Sequence, residues 1–223
     1  MSAAAPTASL RHPLPQALLV LTFTTGIVDA VSFLGLGHVF TANMTGNIVL
    51  LGFGIAGAHG LPIAGPFASL GAYALGAVGG GRIARHVDKE GLLTTGLAFE
   101  VVLLATAAVV AVATTVTPGE ASSYVLIVLL AFAMGIRSAY IRRLGASDIS
   151  TVVLTMLLVD LASESPFAGG SGLGSLRRAS AVVLMCAGAV AGALLLRVDV
   201  ALPLAIAAGL ALAVREAYRR APL

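Results

Sequence analysis

Apolar residues run along this chain in long blocks separated by short polar or turn-forming stretches. The pattern is neither the strict alternation of a strand nor the half-polar face of a soluble helix. A helix needs about 20 apolar residues to cross the hydrocarbon core of a bilayer. Six blocks meet or approach that length: 15–36, 66–85, 92–116, 122–141, 178–196 and 200–216. Two others are ambiguous. Segment 39–58 is long enough but opens with the polar string Thr41-Ala42-Asn43-Met44-Thr45-Gly46-Asn47, and segment 149–163 is short and contains Asp160. Turn chemistry separates the blocks, as in Gly57-Ala58-His59-Gly60-Leu61-Pro62 and Thr117-Pro118-Gly119-Glu120. The pattern predicts an all-α polytopic membrane protein. A cytoplasmic tail would occupy 1–14, one membrane domain 15–216 and a basic tail 217–223.

Composition points the same way. With 58% hydrophobic and 10% charged residues, the chain has too few polar side chains to cover a soluble globule. Soluble enzymes, nucleic-acid binders and disordered proteins are excluded together. The net charge of +3 reads as basic loops that fix orientation in a membrane, not as a nucleic-acid surface. A single cysteine, Cys186, excludes an intrachain disulfide.

The Lys and Arg positions discriminate between topologies. Eight full crossings divide the basic residues evenly between the two sides, which the positive-inside rule disfavours. Suppose instead that 39–58 and 149–163 are re-entrant and the N-terminus is cytoplasmic. Arg11, Arg82, Arg85, Lys89, Arg142, Arg143, Arg177, Arg178, Arg215, Arg219 and Arg220 then share one side, and Arg197 lies opposite. A seven-helix arrangement, with only 149–163 re-entrant, is biased nearly as well. Six spans with two partial segments is the first expectation and seven the second.

The sequence also repeats itself. Gly26-Ile27-Val28-Asp29-Ala30 recurs as Gly135-Ile136-Arg137-Ser138-Ala139, and Leu36-Gly37 as Leu144-Gly145. Thr41 and Thr45 match Thr151 and Thr155, while Gly76 and Gly80 match Gly188 and Gly192. The order is kept at a nearly constant offset of about 110 residues, the mark of internal repetition. The expected pseudo-repeats are 15–116 and 122–216. Three crossings in each would invert one relative to the other, a plan common among transporters.

Polar residues inside apolar segments are the candidates for function. An ionised carboxylate at the centre of a crossing helix costs of order 2.5–3.5 kcal/mol on insertion scales, so Asp29 must be protonated, paired or facing water. Pairing with Arg137 of the other half is the expected solution, either around a ligand or simply to fix helix register. Asn43, Thr45 and Asn47 form the densest polar cluster. On a helix, Asn43 and Asn47 would share a face and line a cavity, or else bond neighbouring helices. Asp160 and Thr155 are their expected counterparts in the second half. Glu100 either snorkels or pairs with a base. Gly76, Gly80, Gly188 and Gly192 belong to small-residue ladders that permit close helix packing. No metal-ligand spacing, cofactor fingerprint or catalytic motif is present.

The block Gly26-Ile27-Val28-Asp29-Ala30-Val31-Ser32-Phe33-Leu34-Gly35-Leu36-Gly37, followed by Val39-Phe40-Thr41-Ala42-Asn43-Met44-Thr45-Gly46-Asn47, resembles the signature of the YoaK family, whose domain is of unknown function. The resemblance runs from about Pro15 to Val214 and implies a bacterial multi-pass protein of the inner (plasma) membrane. In the second half the family pattern has a Gln-Asn pair and a Thr-Gly step, where this chain has Arg137-Ser138 and Thr155-Met156. The expected function is passage of a small solute or ion, without enzymatic activity or cofactor. Asp29, Asn43, Thr45, Asn47, Arg137 and Asp160 would form the site. The alternative is a membrane interaction or assembly module with no transport. The expected partners are the bilayer and a small solute or ion, with no nucleic acid, and a homo-oligomer is allowed.

Overall fold

The computed structural model of the protein describes residues 13–145, 154–172 and 174–220. All regular structure among them is helical: α1 Pro13–Ala30, α2 Met44–Ile55, α3 Ala64–His86, α4 Lys89–Ala113, α5 Ala121–Leu144, α6 Leu154–Ser163, α7 Ser175–Leu195 and α8 Ala201–Arg220. α1 opens on Pro13, whose fixed φ suits a first helical turn. It runs on through a π-helical turn, Val31–Gly35. α5 stops at Gly145, whose φ of 74° allows its amide to close on the Arg142 carbonyl.

Five helices are long and apolar enough to cross a membrane: α1 with its π turn, α4, α5, α7 and α8. α3 is long enough to be a sixth, although it is less apolar than these five. Its 23 residues rise about 34 Å, against a hydrocarbon core of about 30 Å. Glycines and the terminal Arg82, Arg85 and His86 lower its hydropathy. α2 and α6, with 12 and 10 residues, rise only about 18 and 15 Å. Neither can span.

Side-chain contacts give the helix directions. α1 and α7 run parallel, with Gly188 on Phe23 and Gly192 on Ile27; α3 and α5 also run parallel, with Gly76 on Phe132 and Gly80 on Ile136. α4 runs against α5, since Gly96 faces Tyr140 while Glu100 reaches Arg137. α8 runs against α4, with Arg215 Nε donating to the Thr94 carbonyl at 3.2 Å. It also runs against α1, whose last turn at Gly35 meets Val200 ahead of α8. The six long helices therefore alternate in direction along the chain, with α2 and α6 left out of the alternation. The seven-helix alternative needs α1 and α3 to point the same way, and they do not.

Under that arrangement Arg82, Arg85, Lys89, Arg142, Arg143, Arg177, Arg178, Arg215, Arg219 and Arg220 lie at one end, which the positive-inside rule makes cytoplasmic. Two boundaries differ from the sequence expectation. The first helix starts at Pro13, inside the expected tail, and α8 carries the expected C-terminal tail on to Arg220. Arg219 there forms an ion pair with Glu216, which suits a helix end.

The core is built by reciprocal glycine contacts. A Cβ on Gly26 would strike the backbone of Met185 and Ala189, and one on Gly135 would strike that of Tyr73 and Ala77. Conversely, Gly188 receives the Phe23 backbone and Gly76 that of Phe132. The first long helix of each half thus packs on the second long helix of the other half. Lipid tails give helices no hydrophobic reason to associate, so backbone-to-backbone approach at small residues supplies the packing. Large exposed side chains such as Leu75, Val78, Val102, Val109, Val183 and Val190 point outward, as suits a hydrocarbon solvent.

Gly135→Ala and Gly188→Ala should each destabilise the folded protein by about 1–3 kcal/mol through overpacking. Gly71 and Gly209 face open space, so alanine there should be neutral or slightly stabilising. Thermal melts of the four variants in detergent check the contrast.

Candidate functional site

The chain leaves α1 at Gly35 and turns back through an irregular stretch that includes Gly37 at φ 108° and His38 at φ 57°. That stretch dips to the level of Asp29, which lies six residues, about 9 Å, before the end of the π turn. Unpaired backbone at such depth must be satisfied by protein, and Asp29 does this. Its Oδ1 accepts the Ala42 amide at 2.9 Å and the Thr41 amide at 3.2 Å. Asn43 then N-caps α2, its side chain accepting the Gly46 amide at 3.2 Å. Asn47 braces the same stretch from within α2. It accepts the Phe40 amide at 2.9 Å and donates to the Phe40 carbonyl at 2.6 Å. Ser69 of α3 donates to that carbonyl as well, at 2.7 Å.

Beside this re-entrant turn lies a cavity of about 640 Å³. Asp29, Asn43 and Thr45 line it from the first half and Thr155, Leu158 and Met185 from the second; Thr25, Phe33 and Phe40 complete much of the wall. Phe33 and Phe40 stack with ring centroids 4.8 Å apart. Asp29 is 6% exposed, so its carboxylate sits in a nearly dry setting. Met185 is halfway along α7, so the cavity reaches from the depth of Asp29 to the mid-length of α7.

The expected Asp29–Arg137 pair is not formed. Arg137 pairs with Glu100 of α4: Nε donates to Oε2 at 2.8 Å and Nη2 donates to Oε1. Nη1 donates to the Leu21 carbonyl at 2.9 Å and to Thr25 Oγ1 at 2.6 Å, and Nη2 reaches Thr24 Oγ1 at 3.0 Å. A guanidinium has five N–H donors in a fixed fork, and here each has an acceptor. Tyr140 donates to Glu100 Oε2 at 2.9 Å and completes the set. Arg137 and Glu100 are 2% and 0% exposed. Three helices are thereby tied together, α1 through threonines and a carbonyl, α4 through the acid and α5 through the base.

Of the residues read as site candidates, Asp29, Asn43, Thr45 and Thr155 meet at the cavity. Asn47 does not. It is fully buried and saturated by the Phe40 backbone and Ser69, because Asn43 precedes α2 as its cap and the two do not form a helical pair. Asp160 lies apart, half-exposed and 4.0 Å from Arg178, which bonds Glu164 more closely at 2.6 Å. Arg137 belongs to the buried ion pair, although its partner Thr25 also lines the cavity. Thr151, the expected counterpart of Thr41, and residues 149–153 of the second partial segment lie outside the described residues. Gly76, Gly80, Gly188 and Gly192 pack helices as expected. Thr24, Thr25 and Tyr140 escaped the sequence reading. The signal for them was a Thr pair one helical turn before Asp29, and a Tyr one turn after Arg137.

Six membrane-length helices, two partial ones and buried polar clusters at bilayer depth define a multi-pass integral membrane protein. Residues 17–215 match the family described as "Protein of unknown function (DUF1275)", and the chain belongs to it. It is 33% identical over 187 residues to the UPF0700 transmembrane protein YoaK of Bacillus subtilis (strain 168), a match covering 79% of this chain and 81% of that protein. The resemblance read from the Gly26–Asn47 block thus holds across the chain. No solved structure matches it.

Removing one member of the ion pair leaves a buried charge without its partner. Arg137→Met or Glu100→Gln should each cost about 3–5 kcal/mol. The double variant Arg137→Met/Glu100→Gln should be much less destabilised than the sum of its singles. Unfolding curves in a denaturing detergent series, read as a double-mutant cycle, check this.

Proposed function

We propose that the protein moves a small solute or ion across the bacterial plasma membrane, and that the cavity beside Asp29 holds it in transit. One observation carries the reading. Asp29 of α1, the α2 cap Asn43 and Thr45 in the first turn of α2 present a carboxylate, an amide side chain and a hydroxyl to a cavity of about 640 Å³, in the size range of small-molecule sites. Irregular backbone inside a membrane is tolerated where it lines such a cavity, and broken or partial helices are where carriers place their sites.

The reciprocal packing supports the reading further. We take 15–116 and 122–216 as inverted repeats, because each has three crossings and the glycine contacts of one recur in the other. Gly26 corresponds to Gly135, Gly76 to Gly188 and Gly80 to Gly192. Such halves can rock about a shared site. The multi-pass architecture and the bacterial source of its relative support this location. The role is that of a carrier and not of an enzyme. An assembly module that docks other proteins on its basic cytoplasmic end is the competing reading. It treats Asp29 purely as an anchor for the Thr41 and Ala42 amides.

Asp29→Asn separates the two. Asparagine keeps an acceptor for both amides and removes the charge. On the carrier reading the purified variant melts close to the wild type, yet loses the stabilisation that solutes give the wild type. Bound ligand raises stability by RT ln(1 + [L]/Kd), so a screen of ions, amino acids, sugars, nucleobases, organic acids and amines reads it directly. If no solute acts and Asp29→Asn melts early, the carrier reading fails.

A further inference from the structure

We propose that the solute is an organic cation, a protonated amine or quaternary ammonium group carried on an apolar body. The inference rests on the reading of the Asp29 cavity as a binding site and adds the chemical class of its ligand.

Charge comes first. Among the described residues the cavity wall contains one carboxylate, Asp29, and no Lys, Arg or His. The strong base near it, Arg137, has its charge matched by Glu100 and all its N–H groups engaged. The two backbone amides on Asp29 Oδ1 favour its ionised form, so the cavity is negative. An anion there would face a carboxylate with no countercharge, in surroundings where water screens poorly.

Coordination chemistry argues against a bare divalent metal ion. Calcium takes six to eight oxygens, and magnesium takes six in strict octahedral order. The oxygens here are mostly committed. Asp29 Oδ1 holds two amides and Asn43 Oδ1 holds the Gly46 amide. Thr25 Oγ1 donates to the Leu21 carbonyl and accepts from Arg137. Among the described residues no cluster of three His, Cys, Asp or Glu is placed to hold a metal.

Shape points to an organic body. Phe33, Phe40, Val49, Leu50, Leu158 and Met185 supply the apolar part of the lining, the composition expected of a small-molecule pocket with few polar anchors. Aromatic faces attract cations as well as hydrocarbon. The position corresponding to Asp29 in the other half carries no carboxylate. There Ser138 stands for Asp29 and Tyr73 for Met185, and Tyr73 Oη donates to Ser138 Oγ at 2.6 Å across the gap.

The test uses the purified full chain in detergent, at constant ionic strength, with three probes of one shape: benzylammonium, benzyl alcohol and benzoate. Benzylammonium should raise the melting temperature saturably while the other two do not. Asp29→Asn should weaken its apparent affinity at least about tenfold, equivalent to about 1.4 kcal/mol. Leu158→Trp, which fills the cavity from the half-exposed α6 without touching the Asp29 turn, should block it as well and serves if the Asp29 variant does not fold. Asp160→Asn, outside the cavity, should leave it unchanged. The proposal is overturned if benzoate or benzyl alcohol stabilises as strongly. When that effect vanishes in Leu158→Trp, the cavity still binds solute and the carrier reading survives. A benzylammonium effect that persists in both Asp29→Asn and Leu158→Trp overturns the proposal too. Silence from all three probes removes the binding site itself.

Discussion

A guanidinium inside a bilayer-embedded bundle is the constraint that the rest of this structure answers. Arg137 cannot shed its proton, and its cost at bilayer depth falls only if every donor finds an acceptor. Meeting that demand takes Glu100 from α4, Tyr140 from one turn further along α5, and two threonines with a carbonyl from α1. Helices that share no hydrophobic drive to associate in lipid are thereby held in one register. A pair of this kind contributes little net stability compared with a well-packed apolar replacement. Its strength is specificity: a shift of α1 by one residue would strand donors in a medium without water.

The two acids buried in the long helices consequently have separate duties. Glu100 is neutralised by a base and serves architecture. Asp29 meets no base and serves the re-entrant turn through backbone amides. That division explains why the turn stays deep. Its amides have an acceptor, Asn47 closes both polar groups of Phe40, and Ser69 ties the result to α3. The π turn at Val31–Gly35 ends α1 just beyond Asp29 and brings Phe33 onto Phe40. Thr25 is the link between the duties. It accepts from Arg137 and also faces the cavity, so solute packed there lies against a residue of the anchoring network.

Much of the architecture was legible from the chain because lipid makes simple demands. Length and apolarity marked the crossings, and the distribution of Arg and Lys separated six spans from eight before any coordinates. Asp29, Asn43 and Thr45 were legible for the same reason, since polar groups in apolar segments require an explanation. Pairing was not legible. Asp29 and Glu100 are both acids on long helices, and sequence position alone cannot say which one the Arg137 fork can reach; the bidentate geometry across α4 and α5 decides it. Asn47 misled because its spacing from Asn43 looks helical, whereas Asn43 lies outside α2 as its cap. Asp160 misled because the repeat gave it a partner position, while its own surroundings placed it beside Arg178.

The crossed packing has a consequence for how the protein is made. α1 finds its close partner in α7, and α3 finds its partner in α5. A ribosome delivers these helices in order, so the glycine face of α1 waits in lipid until nearly the whole chain has been inserted. Neither half holds its own tight interface, and assembly is therefore a late event with long loops to close. The same wiring means that two separately synthesised halves carry all the information needed to find one another, each completing the other's unfinished surface.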